Sequence, residues 1–208
     1  VTCVLRRGQT GAWIDGLYRG LEKAARAYGF DVIGGELAAT DGPAVISVAM
    51  TGEVRTRDLV RRAGGRPGDV LFVTGVLGGS LASGWHLRFR PRVEQARWLV
   101  RNFCPRAMMD LSDGLAADLP RLALAGGTGF VIDPASVPRR RGVAVGQALG
   151  DGEDFELLFA VKPREAVGLM AAWKKRFQRV QLTRIGVLAK RGVAEGLGVA
   201  RGYDHFAR

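Results

Sequence analysis

Asp110, Asp113 and Asp118 stand within ten residues, in DLSDGLAADL, of a chain whose formal net charge is +11. Asp110 and Asp113 are three apart, a spacing that puts both carboxylates on one face of a helical first turn, with Ser112 between them as a candidate cap. Adjacent carboxylates repel each other, so a site that keeps both ionised needs a divalent cation or a basic partner, and a helix N-terminus adds positive potential. The pair suits a jointly held hard cation. The same acids would serve equally as helix caps, and that is the reading for Asp118, in mid-segment beside Pro120.

A second acidic knot, GDGEDFELLF, sets Asp151, Glu153, Asp154 and Glu156 before and within an apolar strand. Carboxylates presented at a strand end are placed for binding on a rigid scaffold; a charged turn is the plainer alternative. Three glycine-rich stretches, IGGE at 33–36, RAGGRPGD at 62–69 and TGVLGGS at 74–80, could bring backbone N–H groups to a phosphate. None has the P-loop or dinucleotide-binding spacing, and tight turning explains Gly75, Gly78 and Gly79 as well. Arg62, close to two glycines, suits bidentate contact with a phosphate.

The elements that must position these residues follow from periodicity. Ile14, Leu17, Leu21, Ala24, Ala25 and Tyr28 keep the helical period over residues 12–28, with Thr10 as cap and Gly29 as stop. TCVL, FDVIGGE (30–36) and AVISVAMTGEV (44–54) read as strands around that helix. A boundary near Thr56 separates a first domain, 1–56, from a second, 57–208. The second opens with a basic helix-like linker, TRDLVRRAGGRPGD. It continues with strands VLFVTG, GTGFVID, DFELLFAV and VQLTRIGVL and with helices RVEQARWLVRNF and PREAVGLMAAWKKRF. The fold class is α/β, with α+β segregation of layers as the variant.

Composition bounds what such a fold can do. With 208 residues, 47% hydrophobic and 25% charged, the chain has material for one large or two small cores. No apolar run reaches the length of a membrane span, and the first residues lack a signal-peptide core, so the expectation is a soluble, cytoplasmic protein. Cys3 and Cys104 with His86 and His205 make neither a disulfide scaffold nor a zinc site, which leaves oxygen ligands and a hard cation. The 31 Lys and Arg against 20 Asp and Glu suggest an anionic partner: nucleic acid, a membrane surface or a phosphorylated small molecule. Basic runs such as RFRPRVEQARWLVR and PRRRG are also what a solvated surface looks like. The chain opens on Val1 and enters a strand at once, so the expectation is a fragment.

Taken in order, VIGGE, RRAGGRPGDVLFVTGVLGGS, MMDLSDGLAADL, LGDGEDFELLF and GYDHF resemble the thiamine-monophosphate kinase family. The wider superfamily holds aminoimidazole ribonucleotide synthetase, selenophosphate synthetase and a hydrogenase-maturation protein; GEDFELLF and GYDHF resemble the kinase specifically. The resemblance implies a partial N-terminal domain of dimeric-barrel type over 1–56, used in dimerisation and in nucleotide and metal binding, followed by a C-terminal α/β domain. It implies a homodimer, and ATP- and Mg²⁺-dependent conversion of thiamine monophosphate to thiamine diphosphate, with no nucleic acid or membrane as partner.

Residue by residue, it implies Mg²⁺ on Glu36, Asp110 and Asp113, and ATP contacts from Gly35, Glu36, Arg62 and Ser112. Thiamine monophosphate would meet Glu153 and Phe206, with Tyr203 as the second candidate aromatic. The family pattern Gly-Gly-Asp-Thr-Thr is GGELA here, so Glu36 is one methylene longer than the family aspartate and two threonines are absent. The resemblance also implies inactivity without an upstream segment. Three rival readings remain: a sister enzyme of the superfamily, an inactive remnant that only binds partners, and a nucleic-acid binder using aromatics such as Trp98 and Phe177, which stand on helical faces suited to a core.

Overall fold

A computed structural model describes residues 1–203, which fall into two compact units, Val1–Val54 and a second that begins at Arg55. In the first, strand β1 (Thr2–Arg6) leads through helix α1 (Gly11–Tyr28) to β2 (Glu36–Thr40) and β3 (Val45–Ser47). The sheet order is β2-β1-β3, with β2 parallel and β3 antiparallel to β1. The Thr10 side chain accepts from Trp13 N, and Gly29, at φ 71°, donates its N–H to the Ala25 carbonyl. Both ends of α1 are therefore capped as its sequence predicts.

Two strand expectations need correction. FDVIGGE is irregular up to Gly35, and pairing begins only at Glu36, where Thr2 supplies a partner. AVISVAMTGEV pairs only over Val45–Ser47, opposite Val4 to Thr2. An apolar, β-branched run shows what a strand would be made of, but a ladder forms only where a partner strand faces it, here Thr2 to Val4 of β1.

The second unit is a six-stranded sheet of order β5-β7-β4-β8-β6-β9, built from β4 (Val70–Thr74), β5 (Ala107–Asp110), β6 (Gly129–Ile132), β7 (Leu157–Val161), β8 (Leu182–Ala189) and β9 (Ala194–Glu195). Its pairs are antiparallel except β6 with β9. The helices are α2 (Ser80–Ser83), α3 (Val93–Phe103), α4 (Leu115–Ala125), α5 (Val145–Gly150) and α6 (Pro163–Arg176). β4 and β7 read as unbroken apolar runs because both faces of the sheet are covered. Alternation then splits them between two cores. Leu71, Val73, Leu158 and Ala160 join Leu115, Leu119 and Leu122 of α4 on one face. Val70, Phe72, Phe159 and Val161 join Leu99 of α3 and Leu169 and Trp173 of α6 on the other.

The basic segment ahead of β4 is not a helix. It makes two 3₁₀ turns, Thr56–Asp58 and Arg62–Gly64, and then the turn into β4. Gly64 passes so close to the Arg106 carbonyl that a Cβ would lie 1.7 Å from its oxygen. Its glycine is thus required for packing against the chain ahead of β5, not for a phosphate. Among the described residues, no helix is long and apolar enough to cross a membrane.

Phe72 and Phe159, both fully buried, stack with ring centroids 5.6 Å apart at the centre of the second core. Phe159→Ala is expected to cost about 3–5 kcal/mol of unfolding free energy, seen as a lower urea midpoint at unchanged m-value. A loss below about 1 kcal/mol would mean that the site collapses instead of leaving a cavity.

Candidate functional site

β5 delivers Asp110 to the sheet edge, exposed and paired in register with Leu157. From there the chain runs beside residues 153–156: Leu111 N donates to the Glu156 carbonyl at 2.8 Å, Phe155 N to the Leu111 carbonyl at 2.8 Å, and Glu153 N to the Ser112 carbonyl at 2.6 Å. The expected helical first turn containing Asp110 and Asp113 does not form. Asp110 closes a strand, Ser112 and Asp113 lie in a loop, and α4 starts only at Leu115. Its N-cap is Gly114, at φ 92°, a residue with no side chain to cap and no room for one, since a Cβ would sit 2.7 Å from the Asp151 carbonyl oxygen.

Asp118 takes over that capping role. Its carboxylate, fully buried, accepts from Ser112 N and Asp113 N at 3.0 Å each and from Arg121 Nη1 at 2.8 Å. Arg121 Nη1 also donates to Asp113 Oδ2. Asp118 is thus the organiser of the loop, and a sequence signal for it existed. It lies on the same stripe as Leu115, Leu119 and Leu122, and a carboxylate on a buried stripe must find local donors.

The second acidic knot divides sharply. Asp151 Oδ2 accepts from Gly79 N at 2.7 Å, Asp154 Oδ2 from Gly78 N at 2.9 Å, and Glu156 Oε2 from Thr74 Oγ1 at 2.7 Å. Arg140 Nη1 bonds Asp154 Oδ1 at 2.5 Å, and Arg92 grips both oxygens of Glu156, Nε at 2.7 Å. These carboxylates therefore hold the TGVLGGS turn in place, and the N–H groups of Gly78 and Gly79 are taken. The turn is not a phosphate cradle. Glu153 alone of the four acids is exposed, carried on a backbone at φ 63° whose carbonyl accepts from Ser80 Oγ at 2.5 Å. Phe155, at φ 52°, stacks on Phe89 with centroids 4.2 Å apart. Two non-glycine residues held in the left-handed region within three positions is the kind of strain that clusters at binding sites.

Tyr203 N donates to the Asp113 carbonyl at 2.8 Å, so the start of GYDHF lies against the aspartate loop. Phe206 falls outside the described residues. Asp110, Ser112, Asp113, Glu153 and Tyr203 are thereby brought together. Arg62 is exposed on its 3₁₀ turn, beside the Arg61 carbonyl that accepts from Met108 N of β5 at 3.3 Å. Gly35 and Glu36 are exposed at the start of β2 in the first unit.

Burial is the largest influence on Asp154 and pushes its carboxyl up, against the pull of Arg140 and Gly78 N–H; Glu156 adds to the rise. Burial likewise raises Asp118 over the opposing hydrogen bonds from Asp113 N, Arg121 and Ser112 N. Arg121 is held more firmly protonated, chiefly by its bond to Asp113. Among the described residues, no three His, Cys, Asp or Glu side chains gather as a metal cage. Asp110 and Asp113 offer two hard oxygen ligands near a surface. That donor set fits Mg²⁺, which binds through one or two carboxylates and completes its shell with phosphates and water.

Residues 1–54 match the AIR synthase related protein N-terminal domain, and residues 66–196 the corresponding C-terminal domain. Fold and site thus define a member of the AIR synthase related proteins. The chain is 37% identical to the thiamine-monophosphate kinase of Rhodopirellula baltica, over 84% of its own length and 56% of that protein. It is 30% identical to that of Salmonella typhimurium, over 94% of its length and 69% of the relative. A structure of AaThiL complexed with AMPPCP and TMP superposes with a TM-score of 0.74 at 23% identity, covering 99% of this chain and 72% of that one. Within the AIR synthase related proteins, the chain belongs to the thiamine-monophosphate kinase family.

A carboxyl with a raised folded pKa binds protons in the native state that the unfolded chain has released. Its contribution to stability therefore falls as pH climbs from the ordinary carboxylate range through the raised value. Asp154→Asn removes one such titration. As pH climbs from the ordinary carboxylate range, about 4, through the raised value, the unfolding free energy of the variant should fall less steeply than that of the wild type. Parallel curves would refute a burial-driven rise at Asp154.

Proposed function

We propose that the protein carrying this chain transfers the γ-phosphoryl group of ATP, with Mg²⁺, directly to the phosphate of thiamine monophosphate, giving thiamine diphosphate and ADP. One observation carries the reading: the 2.6 Å bond from Glu153 N to the Ser112 carbonyl, which fastens the loop of Asp110 and Asp113 to the loop that presents Glu153. A cation-and-nucleotide end and an acceptor end then share one frame. The names of the two relatives and the AMPPCP and TMP complex of AaThiL support the same assignment.

The acceptor phosphate is already an oxyanion, its second pKa being about 6, so the reaction needs no catalytic base. The barrier is repulsion between two anions, lowered by positive charge and in-line placement. Asp110 and Asp113 would hold Mg²⁺, which when bound neutralises phosphate oxygens. Within the second unit, Ser112 would contact ATP, and the exposed guanidinium of Arg62 would lie on its phosphates. Glu153 would meet the thiamine moiety, whose thiazolium is a cation, and Phe206 or Tyr203 would pack on its rings.

The reading extends to residues 1–56 as part of a dimerising, nucleotide-binding domain, to a homodimer and to the cytoplasm. Exposed Ile46 of β3, with Val48 and Met50 just after that strand, supports the dimer. Against a nucleic-acid binder, Trp98 and Phe177 pack on Trp173 in the second core and offer no stacking platform.

The test is formation of thiamine diphosphate from thiamine monophosphate, ATP and Mg²⁺ by the whole product of the gene encoding this chain. Asp113→Asn is expected to lower kcat/KM by about 10²–10³. Glu153→Gln should raise KM for thiamine monophosphate by about tenfold, with KM for ATP unchanged. Full activity in the Asp113→Asn variant would remove the metal role, and no turnover by folded wild type would favour a sister enzyme.

A further inference from the structure

Arg121, on α4, has one nitrogen on two carboxylates of opposite character. Nη1 donates to Asp118 Oδ1 at 2.8 Å and to Asp113 Oδ2. Asp118 is fully buried and carries the caps of Ser112 and Asp113, so removing its cation would leave a buried, poorly neutralised carboxylate. Asp113 keeps 26% of its side-chain exposure and Arg121 keeps 49%, so water or another cation can replace the guanidinium there at little cost. One contact is anchored and the other is releasable.

We propose, on the reading that Asp113 takes a divalent cation, that Arg121 is a positioning residue that occupies Asp113 in the cation-free chain and yields it when the cation binds. Asp118 keeps the guanidinium at hand. In the free chain Arg121 offsets the charge of Asp113 beside Asp110, whose exposed carboxylate has no bonded donor among the described residues. The loop therefore waits in one arrangement with only one of its two carboxylates unneutralised, and the cation competes with a neighbour that stays within reach.

The test is titration of the chain with Mn²⁺, free ion being read by electron paramagnetic resonance, for wild type, Arg121→Gln, Asp113→Asn and the double variant. Arg121→Gln should bind about 1.5- to 5-fold more tightly, the range set by an exposed ion pair, and Asp113→Asn more weakly than wild type. The gain should vanish in the double variant. A merely structural arginine predicts the opposite sign, because a loosened loop binds less well.

Equal or weaker binding by Arg121→Gln, with Asp113→Asn still impaired, overturns the competing role alone, as does a gain that persists in the double variant. Affinity indifferent to Asp113→Asn overturns the metal reading and this role with it. A second measurement requires no change at Arg121. The Arg121 Nε–H resonance should shift when Mg²⁺ is added to the wild type and stay fixed in Asp113→Asn; a resonance unmoved in the wild type overturns the proposal.

Discussion

Glu156 is a carboxylate taken almost wholly out of water, and the frame of the site depends on how its charge is met. Its side chain accepts from Thr74 Oγ1 at the end of β4 and from Arg92 at the N-cap of α3, and its carbonyl accepts from Leu111 N. One residue thereby ties the glycine turn, the entry to α3 and the aspartate loop together. Breaking such a pair by removing one partner typically costs about 3–5 kcal/mol, since the other charge stays buried. The attachment is therefore stiff. Asp154 with Arg140 and Asp118 with Arg121 repeat the arrangement on either side.

These pairs change the meaning of the chain's basicity. Arg92, Arg106, Arg121 and Arg140 each neutralise a carboxylate that is 2% exposed or less, so part of the arginine complement is structural. Net charge alone had left nucleic acid, membrane and phosphorylated ligands equally open. Asp118, Asp151, Asp154 and Glu156 are likewise spent on the fold, and what remains for chemistry in the second unit is the exposed Asp110 and Glu153 with the half-buried Asp113.

Much of the scaffold was legible because it rests on local rules. Thr10 and Gly29 bound α1, and the unbroken runs of β4 and β7 announced strands buried on two faces. Where reading failed, the deciding partner was distant. Pairing of 44–54 is confined to the three residues that face Thr2 to Val4, and the glycines at 64 and 65 answer to Arg106 and Leu188, not to helix propensity. Which acid of GDGEDFE stays exposed could not be read locally either, because the donors that claim Asp151, Asp154 and Glu156 come from residues 74–79, 92 and 140. Asp118 was different: its place on an apolar stripe was visible, and burial was the inference it called for.

Transfer between two phosphates asks a protein for placement more than for proton chemistry, since charge must be neutralised and the reacting atoms held in line. Asp113 is restrained at its N–H by Asp118, at its carbonyl by Tyr203 N and at its side chain by Arg121. Glu153 is restrained at its N–H by the Ser112 carbonyl and at its carbonyl by Ser80 Oγ. A non-glycine backbone in the left-handed region costs about 1–3 kcal/mol, and these two bonds on either side of Glu153 keep it there. Because Ser112 stands between Asp113 and the bond to Glu153, neither loop can shift without moving the other. A nucleotide end and an acceptor end built on that junction would keep their separation while substrates come and go, which is the property that in-line transfer demands.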